Sequence, residues 1–290
     1  MLRLAAALML LANAAFAQTA TDSGLLKRLR ERGTIVIGYG PVDYPFSAML
    51  GGHPAGYAID LCLGVVDELA RTIDRRLRVD YVPVAPDAWR DAVTGGRVDL
   101  GCGATPASAN RHRTVAFSPV IFVTGTKLLV RRGSKTRWFA DLNGKTIAVV
   151  AGTTSEQAIR SLMDQGRVAA NLVVAADGDH ALALLRDGRA AAMAGDDVLL
   201  RGLIARDHAG DAFAVVGGYL SHALYGIMFR KDDAPLADAV GRAFARMALD
   251  HGLTTAYDRW FDHSTQAGPS LHMPMSVQLV EMFHLLGSGE

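Results

Sequence analysis

Cysteine is scarce, with two residues, Cys62 and Cys102, in a chain of 290. That excludes a disulfide-rich scaffold and leaves either one bridge or two buried thiols, because sequence alone does not fix connectivity. Charge of one sign is also lacking: 30 Lys and Arg stand against 29 Asp and Glu, and no basic block stands out. The chain therefore has no electrostatic footprint for a nucleic-acid partner. Beyond the N-terminal stretch, no apolar run approaches the roughly 20 residues that a bilayer-spanning helix needs. The nine histidines never fall closer than nine residues apart, so no helical His pair can grip a metal, and neither metal nor cofactor is expected. There is no G-x-S-x-G elbow and no P-loop. The nearest approach to G-x-G-x-x-G, Gly101 to Pro106, fails at its last position.

What is present begins with MLRLAAALMLLANAAFAQ, which has one basic residue, an apolar run from Leu4 to Ala12, and then Ala15-Phe16-Ala17. This is the form of a secretory signal peptide with a small-x-small cleavage site, expected over residues 1–17. Export would make a Cys62–Cys102 bridge chemically possible. The remainder is long enough for two modest cores.

Apolar periodicity alternates between strand-like and helical, which predicts an α/β fold. The first half reads TIVIG (34–38), a helix AIDLCLGVVDELARTI, a strand LRVDYVPV, a helix over 87–94, and VDLGCG. The second half repeats the scheme with KTIAVV (145–150), a helix from Ser155, NLVVAA (171–176), a helix over 179–187, AAAMAG (190–195) and a helix from Asp197. Two similar lobes follow from that repetition. Asn143-Gly144 marks a turn, and Thr153 and Glu156 have capping-box spacing. Pro235 suits the first turn of a helix that Gly252 would end, and a last short helix is expected over 277–286.

Two places have the makings of an anion site. Arg111 follows a strand in a loop of small polar residues, and GTTSE (152–156) opens a helix directly after another strand. Amides at a helix start are unpaired and partly positive, and an arginine fork adds bidentate hydrogen bonds. Taken singly, Arg111 could be a surface cation, Thr153 a cap, and Asp196-Asp197 a capping pair. Together, at strand ends of two matching lobes, they lie where open α/β sheets bind ligands.

In this order RGTIVIG, YPFS, AGYAIDL, GGRVDLGCGAT, ANRHRTVAFS, IFVTGTKLLV, DLNGKTIAVVAGTTSE, GRAAAMAGDDVLL, YGIMFRKDD and DRWF make the chain resemble periplasmic solute-binding proteins of amino-acid ABC transporters. Within these it is most similar to the glutamate/aspartate-binding type. The resemblance implies a two-lobed type II periplasmic-binding-protein fold, each lobe a mixed sheet flanked by helices. Lobe I would hold residues 18–121 with 226–290 and lobe II residues 126–222, with hinge crossovers near 121–125 and 223–226. It assigns Arg111 to the ligand's α-carboxylate, helped by Ala104, Thr105, Thr153 and Thr154, and Asp196 to the α-ammonium. It implies a periplasmic monomer that carries an amino acid or related solute to an inner-membrane permease.

The chain also departs from that type. Gly40, Pro86, Trp89 and Gly178 stand where the resemblance places an arginine, a serine, an arginine and a histidine around the ligand's side-chain carboxylate, so acidic ligands are disfavoured. Pro106 replaces a hydroxyl residue and offers no N–H. Asp43, with Phe46, Trp89 and Tyr44 nearby, suggests a pocket for a neutral, aromatic or cationic side chain; the alternative is that Asp43 caps a turn and Trp89 is packing. Two other functions share the scaffold: a sensory or accessory binding subunit, and an enzyme like cyclohexadienyl dehydratase, which would need a general acid such as Asp43 or Asp87.

Overall fold

The computed structural model describes residues 24–264 and 270–288. The signal peptide expected over 1–17 lies outside the described residues.

The chain opens with α1 (Leu25–Arg32), which buries Leu25, Leu26 and Leu29 and stops where Gly33 turns left-handed at φ 66°. There follow β1 (Thr34–Tyr39), a small meander of β2 (Val42–Asp43), β3 (Ser47–Leu50) and β4 (His53–Ala55), and the amphipathic helix α2 (Tyr57–Thr72). Next come β5 (Arg78–Pro83), α3 (Trp89–Thr94), β6 (Leu100–Gly101), a single tight turn at Arg111–Arg113, and β7 (Val115–Phe117). The strand β8 (Phe122–Arg131) then carries the chain into a second body of β9 (Thr146–Val150), α4 (Thr154–Asp164), β10 (Asn171–Ala175), α5 (Gly178–Arg186), β11 (Ala192–Asp196), α6 (Asp197–Arg206) and β12 (Phe213–Val216). It returns through β13 (His222–Tyr225) to β14 (Met228–Arg230), α7 (Ala234–Leu249), α8 (Gly252–Tyr257) and α9 (Val277–Gly287).

The first sheet has the order β5-β1-β6-β14-β7, and the second has β10-β9-β11-β8-β12. In each, the strands that lead into helices run parallel, and one strand runs against them: the returning β14 in the first sheet and the entering β8 in the second. Both sheets are covered on two faces, which is why their strands read as apolar runs. One face of the first sheet meets α2 and α7 through Ile35, Ile37, Leu61, Val65 and Phe244, and the other meets Trp89, Val93 and Val115. Each fully buried aliphatic side chain here contributes roughly 1.5–3 kcal/mol. The second sheet packs Leu182, Leu185, Leu200 and Leu203 on one side and Ile159, Leu162 and Leu142 on the other.

The first four residues of β8 pair antiparallel with β13, from Phe122 opposite Tyr225 to Gly125 opposite His222, so the two crossings form one ribbon between the bodies. The halves also touch beside it. A Cβ on Gly202 of α6 would come 2.0 Å from the Tyr44 carbonyl oxygen, and one on Gly152 would come 2.7 Å from the Asp87 Cα.

The structure resolves one open question and moves two boundaries. Cys62 on α2 and Cys102 just after β6 are joined as a disulfide, with Cα atoms 6.3 Å apart. The helix expected from Asp87 starts at Trp89. Pro235 does sit in the first turn of α7, but Gly252 does not end that helix: His251 takes the left-handed position at φ 57°, and Gly252 opens α8. Among the described residues, no helix is long and apolar enough to cross a membrane, and no cluster of His, Cys, Asp or Glu could hold a metal ion.

Candidate functional site

A crevice between the two bodies leaves about 80 Å³ open to the centres of water-sized spheres. From the first body it is lined by Asp43, Trp89, Ala104, Pro106 and Arg111, and from the second by Thr153, Thr154 and Asp196.

The loop after β6 is held on several sides. The disulfide anchors its start to α2, the Cys102 amide donates to Gly38 O at 2.9 Å, and the Ala107 amide donates to Leu224 O at 2.7 Å. Pro106 bridges to Tyr225 in the same place. Pro106 lacks an N–H, yet its carbonyl accepts from Arg111 Nη1 at 3.1 Å and so aims the guanidinium. Among the described residues that is the one side-chain hydrogen bond Arg111 makes, and it forms no ion pair. Burial pulls its pKa down, opposed by the neighbouring Tyr225 and Asp196. A half-buried guanidinium with most of its five donors unengaged is prepared for an anion.

Across the crevice, Thr153 caps α4. Its Oγ1 accepts from the Glu156 amide at 3.1 Å and donates to Val150 O at 2.7 Å. Glu156 reaches back as the spacing predicts, but to the amide of Gly152, at 2.8 Å, one residue earlier than a capping box requires. The capping hydroxyl is therefore engaged, and what α4 offers the crevice is its N-terminal amides and dipole.

Asp196 closes β11. It holds the N-cap position of α6 but its side chain makes no capping bond. Its Oδ1 accepts from Ser155 Oγ at 2.9 Å and more weakly from Thr126 Oγ1 at 3.4 Å, and its Oδ2 accepts from the Tyr225 hydroxyl. Burial raises its pKa, while these three hydroxyls and Arg111 lower it. Asp197 turns away to Arg201 Nε at 2.7 Å, Lys127 Nζ at 3.4 Å and the Tyr219 hydroxyl at 3.1 Å. The pair thus divides: Asp197 serves the surface ion network and Asp196 the crevice.

Asp43, on β2, has a different environment. Among the described residues its carboxylate accepts no hydrogen bond. Burial first, then the charges of Asp177 and Asp179, push its pKa up to about 7. Asp177 is itself held by His180, at 2.9 Å to the amide and 2.7 Å to Nδ1, and Asp179 pairs with Arg206.

The remaining expected residues separate. Trp89 both lines the crevice and packs, since its ring stands where a Cβ on Gly103 would come within 2.5 Å. Ala104 lines the crevice, whereas Thr105 is buried behind it, its Oγ1 without a partner among the described residues. Phe46 does not reach the crevice. It is wholly buried against Tyr57, Phe122, Tyr225 and Phe261, with centroids 5.1–6.0 Å away, and belongs to the aromatic core under the crossings. Sequence reasoning missed Ser155, Tyr225 and Thr126, which hold Asp196 from 29 to 70 residues away in the chain, and no local pattern announces them.

Several known proteins are similar. The profile of the family described as bacterial extracellular solute-binding proteins, family 3, matches residues 35–263. The L-glutamate/L-aspartate-binding protein of Pseudomonas aeruginosa is 34% identical over 265 residues, covering 90% of this chain and 87% of its own. The glutamate/aspartate import solute-binding protein of Escherichia coli K12 is 30% identical over 256 residues, covering 88% and 84%. A crystal structure of a mutant of ArgBP from T. maritima superposes with a TM-score of 0.73 over 82% of this chain and 99% of that one; at 23% identity it speaks to the fold alone.

Proposed function

Because the chain belongs to the bacterial extracellular solute-binding proteins of family 3, we propose that it captures a free amino acid in the crevice, with Arg111 on the α-carboxylate and Asp196 on the α-ammonium. The single observation that carries this is that two opposite charges line one crevice from separate bodies without forming an ion pair with each other. A zwitterion fits between them and supplies to each the partner it lacks. The amides at the start of α4 add donors to the carboxylate.

Closure would then gain contacts that neither body offers alone, which is how a ligand shifts an open-to-closed equilibrium. The β8–β13 ribbon is the natural hinge, with the crossovers near 121–125 and 223–226 absorbing the torsion between a lobe of residues 18–121 plus 226–290 and a lobe of residues 126–222. In this reading the loaded monomer, exported after loss of residues 1–17, presents its cargo to an inner-membrane permease.

Acidic cargo does not fit. The relatives named for glutamate and aspartate bind a second carboxylate, but here Arg111 is the one cation among the crevice-lining residues, and Gly40, Pro86, Trp89 and Gly178 bring no other. Desolvating an unpaired carboxylate there would cost several kcal/mol. Calorimetric titration of the twenty amino acids into wild type and Arg111→Ala tests the reading. Binding to wild type with an affinity loss of about 100-fold in the variant is expected for removal of a desolvated charge partner. No binding to wild type, or equal binding to both, would overturn it.

A further inference from the structure

The crevice has a third charged group whose role the proposal above does not use. Asp43 lines it, accepts no hydrogen bond among the described residues, and lies within the field of two further carboxylates, Asp177 and Asp179. We infer that Asp43 is the charge-selecting residue of the site, and that the cargo is an amino acid whose side chain ends in a cation, an ammonium or a guanidinium. This rests on the amino-acid reading above and adds the class of side chain.

Three features of the crevice meet at Asp43. The first is steric. A Cβ on residue 40 would fall 2.0 Å from Asp43 Oδ2 and 2.6 Å from its Cγ, so the carboxyl group occupies the space that any side chain at position 40 would need. The absence of a side chain at Gly40 and the position of the Asp43 carboxylate are one arrangement, and it puts negative charge into that part of the pocket.

The second is the electrostatic frame. Asp177 and Asp179 reach Asp43 from the start of α5, each already answered by its own partner, His180 and Arg206. Tyr225, from β13, also senses Asp43, and its hydroxyl is already given to Asp196. The charges that act on Asp43 from α5 and β13 are thus acidic or already committed, Arg111 in the same crevice is the one cation lining it, and among the described residues Asp43 forms no ion pair. An ionised, desolvated carboxylate opposes closure unless a proton or a cation arrives.

The third is the wall between the two ends. Val42, Trp89, Leu199 and Leu203 line the crevice along with the charged groups. Such a surface suits the methylene stem of a long basic side chain.

The test is calorimetry on the full, disulfide-intact chain with L-arginine, L-lysine, L-glutamine, L-leucine and L-glutamate, at about pH 8, where Asp43 is ionised. A basic ligand should bind wild type at least about 30-fold more tightly than leucine or glutamine, the scale of one desolvated charge-assisted bond. Asp43→Asn should abolish that margin and leave leucine and glutamine within about threefold, since the change removes charge but little volume. Near neutral pH the basic ligand should also release protons, read from the dependence of the binding heat on buffer ionisation, and Asp43→Asn should not. A wild type that prefers leucine or glutamine, or an Asp43→Asn variant that keeps a basic preference, overturns the inference. If neutral ligands bind and Arg111→Ala abolishes them, the amino-acid reading survives that failure. If no amino acid binds wild type, both fall.

Discussion

Asp196 and Asp43 share a crevice, and burial pushes the pKa of both upward, yet they are opposite devices. Asp196 is met by hydroxyls from Ser155, Thr126 and Tyr225, with Arg111 near, so its charge is supported before any ligand arrives. Asp43 is met by two more carboxylates and no donor. On the proposed reading, the comparison teaches that a charge with built-in partners would read a feature every ligand shares, whereas one left without partners would read what distinguishes a ligand. A site needs the first to be rigid and the second to be unsatisfied.

The comparison is broken most severely at its supported end. Asp196→Asn keeps acceptors for the surrounding hydroxyls but loses the negative charge, so affinity for basic and neutral amino acids alike should fall by about 30- to 100-fold. Equal titrations of wild type and variant would show that Asp196 serves only to tie β11 to the crossover.

At the other end the effect appears in stability and depends on pH. The folded-state pKa of Asp43 is raised from 3.8 to about 7. Between those values the folded protein holds a proton that the unfolded chain has released, so stability falls as pH rises through that window. Ligand-free Asp43→Asn, which cannot ionise, should match wild type near pH 4 and exceed it above pH 7 by about 1 kcal/mol, since solvent reaches the partly exposed carboxylate. Denaturant melts across pH measure this, and parallel curves would mean that Asp43 is solvated.

The smallest change sharpens the contrast. Gly40→Ala would bring a Cβ to 2.0 Å from Asp43 Oδ2 and should displace the carboxylate by about 1 Å or more. Basic-ligand affinity should drop by about threefold to tenfold with leucine unchanged, the size expected for a strained rather than a broken charge contact. An equal loss for both ligands would point to general disruption of the loop.

Most of the fold was legible in the sequence because short apolar strands and amphipathic helices alternate with little ambiguity, and the capping and turn residues mark their ends. That Arg111, Thr153 and Asp196 would meet at one crevice was legible for a related reason: they lie at or beyond the carboxyl ends of β6, β9 and β11, and those ends converge. Phe46, expected beside the pocket, lies instead in the aromatic core, because in sequence one aromatic near a candidate pocket looks like any other. Its burial is set by Phe122, Tyr225 and Phe261, which only the crossing of the two bodies brings together. The hydroxyls around Asp196 were illegible for the same reason, since they come from β8, α4 and β13. His251 escaped because glycine is the usual left-handed residue after a helix and stood one position further on.

The Cys62–Cys102 bond fixes the start of the loop after β6 to α2, across a sequence separation of 40. On chain-entropy grounds a ring of that length stabilises the fold by about 4 kcal/mol. Wherever thiols are kept reduced, the newly made polypeptide would go without that clamp, and the loop bearing Ala104 and Arg111 would rest on its backbone hydrogen bonds to Gly38 and Leu224. Oxidation tightens it, so a competent grip on cargo would mature only after synthesis is complete and the surroundings have changed.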